Sequence, residues 1–407
     1  MLHFGTDGTL VCASLVLLLG RKLVAWTPPL RAYSIPEPVA GGLLVALLLL
    51  IARSVADVQV SFDTSLQTPL MLAFFATIGL NANLASLKAG GRTMAIFLVV
   101  VLGLLVLQNA IGIGLASALG LSPALGLLSG SITLSGGHGT GAAWGDVFSN
   151  KFGLTSSTEV AMACATFGLV LGGLIGGPVA RVLIKRVRVP GNGGEASPTT
   201  GGNDDDPVGF EQPKAVRLIT ASSVIETLAL IAVSLSAGSV LADLLKGTAL
   251  ELPTFVCVLF AAVILRNGLA LLGWYQIFER AVSVLGNVSL SLFLAMALMS
   301  LRLWDLAALA LPVLLILGVQ TLAMGAYAIF VTFRVMGRDY DAAVLAAGHC
   351  GFGLGATPTA IANMQAVTDR FGVSHIAFLV VPMVGAFFID IANAIVIKLF
   401  LALPIYA

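Results

Sequence analysis

Long apolar tracts constrain this chain more than any other feature of its 407 residues. Hydrophobic residues make up 58% of the sequence and charged residues only 10%, and the mean hydropathy is +1.02. A water-soluble domain of this composition would expose an apolar patch over most of its surface. The composition therefore predicts a polytopic helical membrane protein embedded in the lipid bilayer, and it gives no indication of nucleic-acid binding.

The apolar tracts divide into two sets of five, on the rule that a helix needs about 20 mostly apolar residues to cross a bilayer. In each half, a Gly-rich apolar segment lies between the fourth and fifth tracts, near 122–150 and near 341–368. Each segment is long enough for two short helices that enter the membrane and return. The predicted spans lie near 5–25, 38–56, 66–84, 93–119 and 158–184, and near 216–245, 252–273, 282–303, 306–335 and 373–403.

A polar stretch rich in Gly, Pro, Asp and Ser, 187–213, separates the two sets of tracts. It has too little apolar content to bury a core, so we predict a disordered linker. The chain then consists of an N-terminal repeat, 1–186, the linker, and a C-terminal repeat, 214–407.

A weak internal repeat supports this division. An offset of 219 residues places Phe74 on Phe293, and an offset of 218 places Gly137 on Gly355. Because five spans per half is an odd number, the second repeat must run inverted relative to the first. The predicted fold class is therefore an all-α polytopic membrane protein with two inverted five-span repeats, each with a re-entrant Gly-rich hairpin.

The basic residues indicate an orientation. With the N- and C-termini on the periplasmic side, most of the 21 lysines and arginines fall on the cytoplasmic side together with the linker, as the positive-inside rule requires. The four cysteines all lie in apolar stretches, which predicts buried thiols and no disulfide framework.

Two polar, Gly-rich breaks interrupt the apolar segments, at SGGHGTG (135–141) and at GHCGFGLGATPT (348–359). Non-helical backbone at membrane depth is tolerated only where it is buried in protein or lines a watery cavity. A pair of such breaks in corresponding positions of two halves points to the binding site of a transporter. Half-helices that meet there expose N–H groups, which favour a carboxylate, and carbonyl groups, which favour a cation. The alternative is that the glycines only permit tight helix packing.

The breaks supply the candidate substrate contacts. We expect backbone N–H groups near the glycines to hold substrate carboxylates and the neighbouring hydroxyls to assist. His138 could equally be a packed neutral side chain, and Thr357 could simply cap the helix that restarts at Pro358. The candidate substrate-binding residues are Thr133, Ser135, Gly136, Gly137, His138, Thr140, Gly353, Gly355, Thr357, Thr359 and Asp390.

A carboxylate, Asp390, lies midway along the last predicted span and shares a helix face with Asn393. A charged group at that depth is costly, so Asp390 is a candidate functional residue. It could bind sodium, because hard cations prefer oxygen ligands, or a substrate ammonium, or it could make a structural hydrogen bond. No other metal site and no cofactor is predicted. The candidate sodium-binding residues are Ser131, Gly351, Asn363, Asp390 and Asn393.

The remaining polar residues in the apolar tracts are interpreted as groups that hold helices together. This set includes Gln108, Asn109 and Gln320. The sequence lacks a Walker A loop and the hydrolase signatures HExxH and Gly-x-Ser-x-Gly. It therefore predicts a secondary transporter driven by an ion gradient, rather than an ATP-driven pump or an enzyme.

Several long, motif-dense segments closely resemble the bacterial sodium/glutamate symporter family, and the resemblance covers nearly the whole chain except 187–213. The signature Gly-Gly-x-Gly of that family corresponds to 136–139, whereas the second break departs from it with GFGLG at 351–355. The segments are YSIPEPVAGGLL (33–44), PLMLAFFATIGLNAN (69–83), GSITLSGGHGTGAAW (130–144), EVAMACATFGLVLGGLIGGPVAR (159–181), ERAVSVLGNVSLSLFLAMALM (279–299) and YDAAVLAAGHCGFGLGATPTAIANMQA (340–366).

The resemblance implies ten spans in inverted halves, sodium-coupled uptake of L-glutamate across the bacterial inner membrane, and a homodimer. Related families imply an elevator, in which a domain with the re-entrant loops slides against a dimerising scaffold. Two alternatives remain in view: a sodium-coupled di- or tricarboxylate symporter, and a cation/proton antiporter that uses Asp390 as its titrating carboxylate. A channel is a third, which saturable, accumulating uptake would exclude.

Overall fold

The structure is a computed structural model that describes residues 2–33, 35–56, 59–85, 91–154, 156–187, 218–248, 251–301, 309–372 and 374–406. These residues are nearly all helical, and eight helices among them are long and apolar enough to cross a membrane. The prediction of a polytopic helical membrane protein is confirmed. The predicted linker lies outside the described residues, apart from Val187.

The helices follow the predicted apolar tracts in order. In the first half they are α1 (Thr6–Trp26), α2 (Pro28–Ala32), α3 (Glu37–Ala56), α4 (Gln67–Asn81), α5 (Gly91–Ala118), α6 (Pro123–Ile132), α7 (Gly137–Phe152) and α8 (Ser157–Ile184). In the second half they are α9 (Ala221–Leu245), α10 (Thr254–Leu272), α11 (Glu279–Met299), α12 (Ala310–Val335), α13 (Tyr340–Leu354), α14 (Thr357–Phe371), α15 (His375–Met383) and α16 (Ile389–Leu401).

Two of the ten predicted spans are not single long helices in the structure. Helix α4 has only 15 residues, and the last tract is divided between α15 and α16 by a π-helical segment, Val384–Phe388. A π segment also ends α6 at Leu128–Ile132, and π segments often mark functional sites. A short 3₁₀ turn, Pro404–Tyr406, follows α16.

A small β-structure, which the all-α prediction missed, anchors the start of α1. Strand β1 (Leu2–Phe4) pairs in parallel with strand β2 (Val60–Phe62). Asp63, next to β2, joins the two segments: its carboxylate accepts hydrogen bonds from the Thr6 hydroxyl at 2.5 Å and from the backbone N–H of Ser65 at 2.8 Å. These bonds, led by that of Thr6, hold the pKa of Asp63 below its ordinary value of 3.8.

This carboxylate predicts a pH-dependent anchor. Because the folded pKa is the lower one, the contribution of Asp63 is fully present above about pH 4 and is lost as the pH falls through the folded pKa. Hydrogen exchange at Leu2–Phe4, corrected for the intrinsic rate, should therefore accelerate in acid. Asp63→Asn should raise exchange at neutral pH and remove most of this acid response. Equal pH responses in the two proteins would contradict the assignment.

The described helices pack into two groups. Group A consists of α1, α3, α4, α9, α10 and α11, which pack on one another in pairs. Two small apolar clusters lie entirely within it, one around Leu80 and Val258 and the other around Val16 and Met296. Group B consists of α5 to α8 and α12 to α16, and it contains both breaks.

Helix α8 is the centre of group B, because α7, α12, α13 and α14 all pack against it. Helix α5 packs against α6, α12 and α16. The largest apolar core of the described residues covers this group, and it includes Leu134 of the first break and Leu354 of the second. Group A meets group B where α11 contacts α7 and where α10 contacts α16.

Candidate functional site

The first break lies between α6 and α7. The backbone leaves helical geometry at Gly130, with φ −101° and ψ −137°, and Gly137 begins α7 with a φ of +68°. That left-handed conformation favours glycine. No side chain among the described residues caps the N-terminus of α7. Its first N–H groups therefore face the break with the positive end of the helix dipole.

The second break lies between α13 and α14 and has the same character. Helix α13 ends at Leu354, followed by non-helical backbone at Gly355. Helix α14 begins at Thr357 with Ala356 at the N-cap, and no described side chain caps it. The suggestion that Thr357 caps this helix is wrong, because Thr357 is already inside the helix. Pro358 lies in the first turn as predicted.

The two breaks meet. A Cβ atom placed on Gly137 would lie 3.7 Å from the carbonyl oxygen of Gly355. The Ser135 hydroxyl lies 3.2 Å from the carbonyl oxygen of Gly353. Four candidate substrate residues, two from each break, are thus brought together from positions about two hundred residues apart in sequence. Two uncapped helix N-termini at one place suit an anion, because both dipoles and N–H groups favour negative charge.

The three remaining candidate threonines at the breaks are all buried but differ in their hydrogen bonds. Thr133 is buried and donates its hydroxyl proton to the Leu128 carbonyl at 2.5 Å. Thr140 is also buried, beside Gly136. The hydroxyl oxygen of Thr359 is buried and has no hydrogen-bond partner among the described residues. A polar atom in that situation costs free energy unless water or a ligand satisfies it.

His138, in the first turn of α7, is buried and lies 3.0 Å from the Thr166 hydroxyl through Nε2. Thr166 donates its single hydroxyl proton to the Met162 carbonyl at 2.8 Å. It must therefore accept from His138, which assigns the proton of the imidazole to Nε2. Thr166 also lines a cavity of about 300 Å³ that lies between α8 and Leu43 of group A.

His349, on α13, has a different environment. Its Nδ1 lies 2.9 Å from the Thr332 hydroxyl, and its ring packs against the rings of Phe97 and Phe352. Nε2 has no hydrogen-bond partner among the described residues. An imidazole enclosed by aromatic rings indicates a packing role, which fits its absence from the candidate substrate contacts.

Two of the candidate sodium ligands form a reciprocal pair although 262 positions separate them. The Ser131 hydroxyl donates to the Asn393 side-chain oxygen at 2.6 Å, and the Asn393 amide donates to the Ser131 carbonyl at 3.0 Å. Asp390 lies one turn before Asn393 on α16 and is half-buried. Within the described residues, Asp390 has no hydrogen bond or ion pair. Two oxygen-bearing side chains, Ser131 and Asn393, thus meet beside the first break, and Asp390 lies one turn away from Asn393 on the same helix.

The other two candidate sodium ligands lie apart from this pair. The Asn363 amide on α14 donates to the Gly172 carbonyl at 2.9 Å and to the Ala347 carbonyl at 3.3 Å, so it ties α14 to α8 and α13. Gly351 packs directly against Ala360 of α14. Both residues hold the second hairpin together, and no described side chain links them to Asn393.

Of the three polar residues interpreted as helix-packing groups, Gln108 contacts both breaks, Asn109 contacts the end of α6, and Gln320 supports Gln108. Gln108 donates to the Gly353 carbonyl at 2.6 Å and accepts from the Ser135 hydroxyl at 2.7 Å. Asn109 accepts from the backbone N–H of Ser131 at 2.9 Å, and Gln320 donates to the Gln108 carbonyl at 2.7 Å. The only sequence signal for this role was the adjacent pair of amides in an otherwise apolar span.

Comparisons with known proteins identify the family. The family model described as sodium/glutamate symporter matches residues 2–373, which include both breaks. The chain belongs to the sodium/glutamate symporter family. A sodium/glutamate symporter of Escherichia coli (strain K12) is 68% identical over 410 residues that cover 100% of each chain. One of Haemophilus influenzae is 56% identical over 395 residues, 97% of this chain and 96% of the relative.

Membership in the sodium/glutamate symporter family confirms the resemblance drawn from the six sequence segments. The relatives are named as symporters, which are transporters and not enzymes. The family match ends before α16, whereas the match to the Escherichia coli symporter spans the whole chain and so includes Asp390 and Asn393.

Proposed function

We propose that this protein couples the inward movement of sodium to the import of L-glutamate across the bacterial inner membrane. The observation that carries the proposal is that Gly137, at the uncapped N-terminus of α7, meets Gly355, which lies two residues before the uncapped N-terminus of α14 at Thr357, in a chain of the sodium/glutamate symporter family. Glutamate carries two carboxylates, and each helix end offers N–H groups and a positive dipole end to one of them.

In this proposal, the substrate occupies the junction of the breaks. The free N–H groups at the start of α7, from Gly137, and at the start of α14, from Thr357, hold its carboxylates, and the nearby hydroxyls complete the contacts. Gly136 and Gly353 shape the junction, because the Gly136 N–H already donates to the Ser131 carbonyl and Gly353 lies in the last turn of α13. The spare Thr359 hydroxyl is a suitable donor because it is buried without a partner among the described residues. His138 carries its proton on Nε2, so its Nδ1 is left as an acceptor.

We place sodium at the oxygen atoms of Ser131, Asn393 and Asp390, because hard cations prefer oxygen ligands. The hydroxyl of Ser131 and the amide of Asn393 would exchange their mutual hydrogen bonds for the ion. Asp390 supplies the negative charge and lies one turn away on the same helix. Gly351 and Asn363 contribute by holding the second hairpin in place.

We also propose that transport follows an elevator motion in which group B moves against group A. The two inverted repeats would place the termini outside and the linker inside, and group A would form the contact of a homodimer. The contact of Gly139 supports a sliding surface at the first break. A Cβ atom there would lie 2.7 Å from the Phe74 ring and 3.2 Å from the Leu290 side chain, both of group A.

Uptake by liposomes that contain the purified protein tests the proposed function. An inward sodium gradient should drive accumulation of radiolabelled L-glutamate, and potassium in its place should not. Unlabelled glutamate should compete with the label, and citrate should not. Accumulation driven by a pH step without sodium would instead support the cation/proton antiporter.

Asp390→Asn, with binding measured at saturating sodium, distinguishes the glutamate symporter from a di- or tricarboxylate symporter, because only glutamate carries an ammonium group that Asp390 could bind. The variant removes the charge available to a cation or an ammonium group with little change in volume. Because hydrogen bonds to charged groups contribute about 1.5–3 kcal/mol, sodium-dependent glutamate affinity should fall about tenfold or more. Asp243→Asn, a carboxylate near the end of α9 in group A, is a matched control and should retain uptake. Loss of glutamate binding with retained binding of a dicarboxylate would favour the rival.

A further inference from the structure

Gln108 lies on α5 and contacts both breaks with one side chain. Its amide nitrogen donates to the Gly353 carbonyl of the second break, and its amide oxygen accepts from the Ser135 hydroxyl of the first. We propose that Gln108 is a positioning residue that couples the two breaks, so that sodium bound beside the first break changes substrate affinity at the junction. The inference rests on the proposed function and assigns a role to a residue outside its ligand set.

The chemistry of the neighbours fixes the orientation of the Gln108 amide. One end lies 2.6 Å from a carbonyl oxygen, which can only accept, so that end must be the NH₂ group. The other end must then be the oxygen, 2.7 Å from the Ser135 hydroxyl. Ser135 has one proton, and its distance to the Gly353 carbonyl is longer, at 3.2 Å. Ser135 therefore donates its hydrogen bond to the Gln108 amide oxygen, and the Gln108 NH₂ group donates the hydrogen bond to the Gly353 carbonyl.

The backbone of Gln108 is held from the opposite side. Gln320 of α12 donates to the Gln108 carbonyl at 2.7 Å. The next residue, Asn109, accepts from the backbone N–H of Ser131, which pairs with Asn393. One turn of α5 thus touches the junction of the breaks and the proposed sodium ligands. If ion binding displaces Ser131, Asn109 and its neighbour Gln108 would transmit the displacement to Gly353.

The same network carries spare hydrogen-bonding atoms. The Asn109 amide nitrogen and the Gln320 side-chain oxygen are buried and have no partner among the described residues. Reversing the Asn109 amide would place its NH₂ group against the Ser131 N–H, and reversing the Gln320 amide would place its oxygen against the Gln108 carbonyl. A reversed amide therefore cannot explain either unpaired atom. Buried polar atoms are normally satisfied by protein, water or ligand. These two atoms are therefore available to bind a ligand or an ordered water beside Gln108.

The competing explanation is that Gln108 only holds α5 in place. Tyr327 provides the comparison, because its hydroxyl donates to the Val100 carbonyl at 2.8 Å and so joins the same two helices as Gln320 and Gln108. Tyr327→Phe removes an interhelical hydrogen bond at Val100, about two turns of α5 from Gln108, and keeps the aromatic ring that packs against His349. A purely structural role predicts similar behaviour for the two variants.

The experiment measures glutamate binding to purified wild type, Gln108→Leu and Tyr327→Phe at low and at saturating sodium, together with the melting temperature of each protein. The ratio of the two dissociation constants is the coupling factor. We expect Gln108→Leu to reduce this factor by about tenfold, the change expected for a lost hydrogen bond. Tyr327→Phe should keep the factor of the wild type even if its melting temperature falls.

A wild-type coupling factor in Gln108→Leu, or an equal reduction in both variants, would overturn the inference. If Gln108→Leu does not fold, Gln320→Met frees the Gln108 carbonyl and should reduce the factor in the same direction. An unchanged factor in that variant would also overturn it. A wild type whose glutamate binding ignores sodium would instead refute the proposed function, and this inference with it.

Discussion

Gly168→Ala is expected to reduce sodium-driven glutamate uptake by about a hundredfold or more. Gly168 lies on α8 where this helix contacts both breaks. A Cβ atom there would lie 2.1 Å from the Leu354 carbonyl oxygen and 3.0 Å from the Leu134 side chain. The first contact is with backbone, so the second break itself must move. Overpacking of this kind costs about 1–3 kcal/mol, and a displacement of about 1 Å at a site can reduce rates about a hundredfold.

Gly177→Ala is the matched control for this prediction. Gly177 lies on the same helix, and a Cβ atom there would meet nothing within 4 Å. Gly177 precedes Pro178, and proline disfavours helical backbone at a preceding residue that carries a Cβ atom, which offsets the higher helix propensity of alanine. This variant should therefore melt near the wild type and should retain uptake. Initial uptake rates in liposomes, normalised to the folded protein, compare the two. Equal uptake by both alanine variants would show that the breaks tolerate displacement.

Substitution of Gly137 should produce the second large effect, graded by residue type. Gly137 begins α7 in the left-handed region, which costs an ordinary residue about 1–2 kcal/mol. Asparagine tolerates this conformation best and valine worst, because valine is β-branched. We expect glutamate uptake to fall modestly in Gly137→Asn, further in Gly137→Ala, and to near background in Gly137→Val. Steric room is not the cause, since the nearest contact of a Cβ atom is an ordinary 3.7 Å.

Gly153→Ala separates conformational strain from a role at the site. Gly153 ends the same helix, has a similar φ of +66°, and has nothing within 4 Å of a placed Cβ atom. This variant should melt lower than the wild type, by about as much as Gly137→Ala, and should still transport. If Gly153→Ala and Gly137→Ala lose uptake equally, strain in α7 rather than the break itself controls the activity.

The order of the helices was predictable because the bilayer sets the length of each apolar tract. The breaks were predictable too, since runs such as 135–141 combine glycine and hydroxyl residues where apolar residues should continue. The cost of exposed backbone in lipid then required those runs to be buried. The meeting of Gly137 with Gly355 followed the weak internal repeat, which placed the two residues in equivalent positions.

The grouping of the helices could not be predicted in the same way. Lipid and protein interior are both apolar, so the residues of α9 that face outward do not differ in kind from those that face α10. The pair of Ser131 and Asn393 depends on contacts between distant segments. The contact of Gln108 with both breaks could not be predicted, because an amide that joins helices and an amide that holds a break have the same sequence signature. Strand β1 was missed because three residues carry too little pattern.

In the proposed transport cycle, sodium and glutamate move together through the junction of the breaks. Linkage requires the coupling to act in both directions. The most direct test loads liposomes containing the protein with buffer, imposes an inward glutamate gradient at equal sodium on both sides, and measures the entry of radioactive sodium. We predict that glutamate drives sodium inward in the wild type and not in Gly168→Ala. Sodium movement that ignores the glutamate gradient in the wild type would rule out coupled transport.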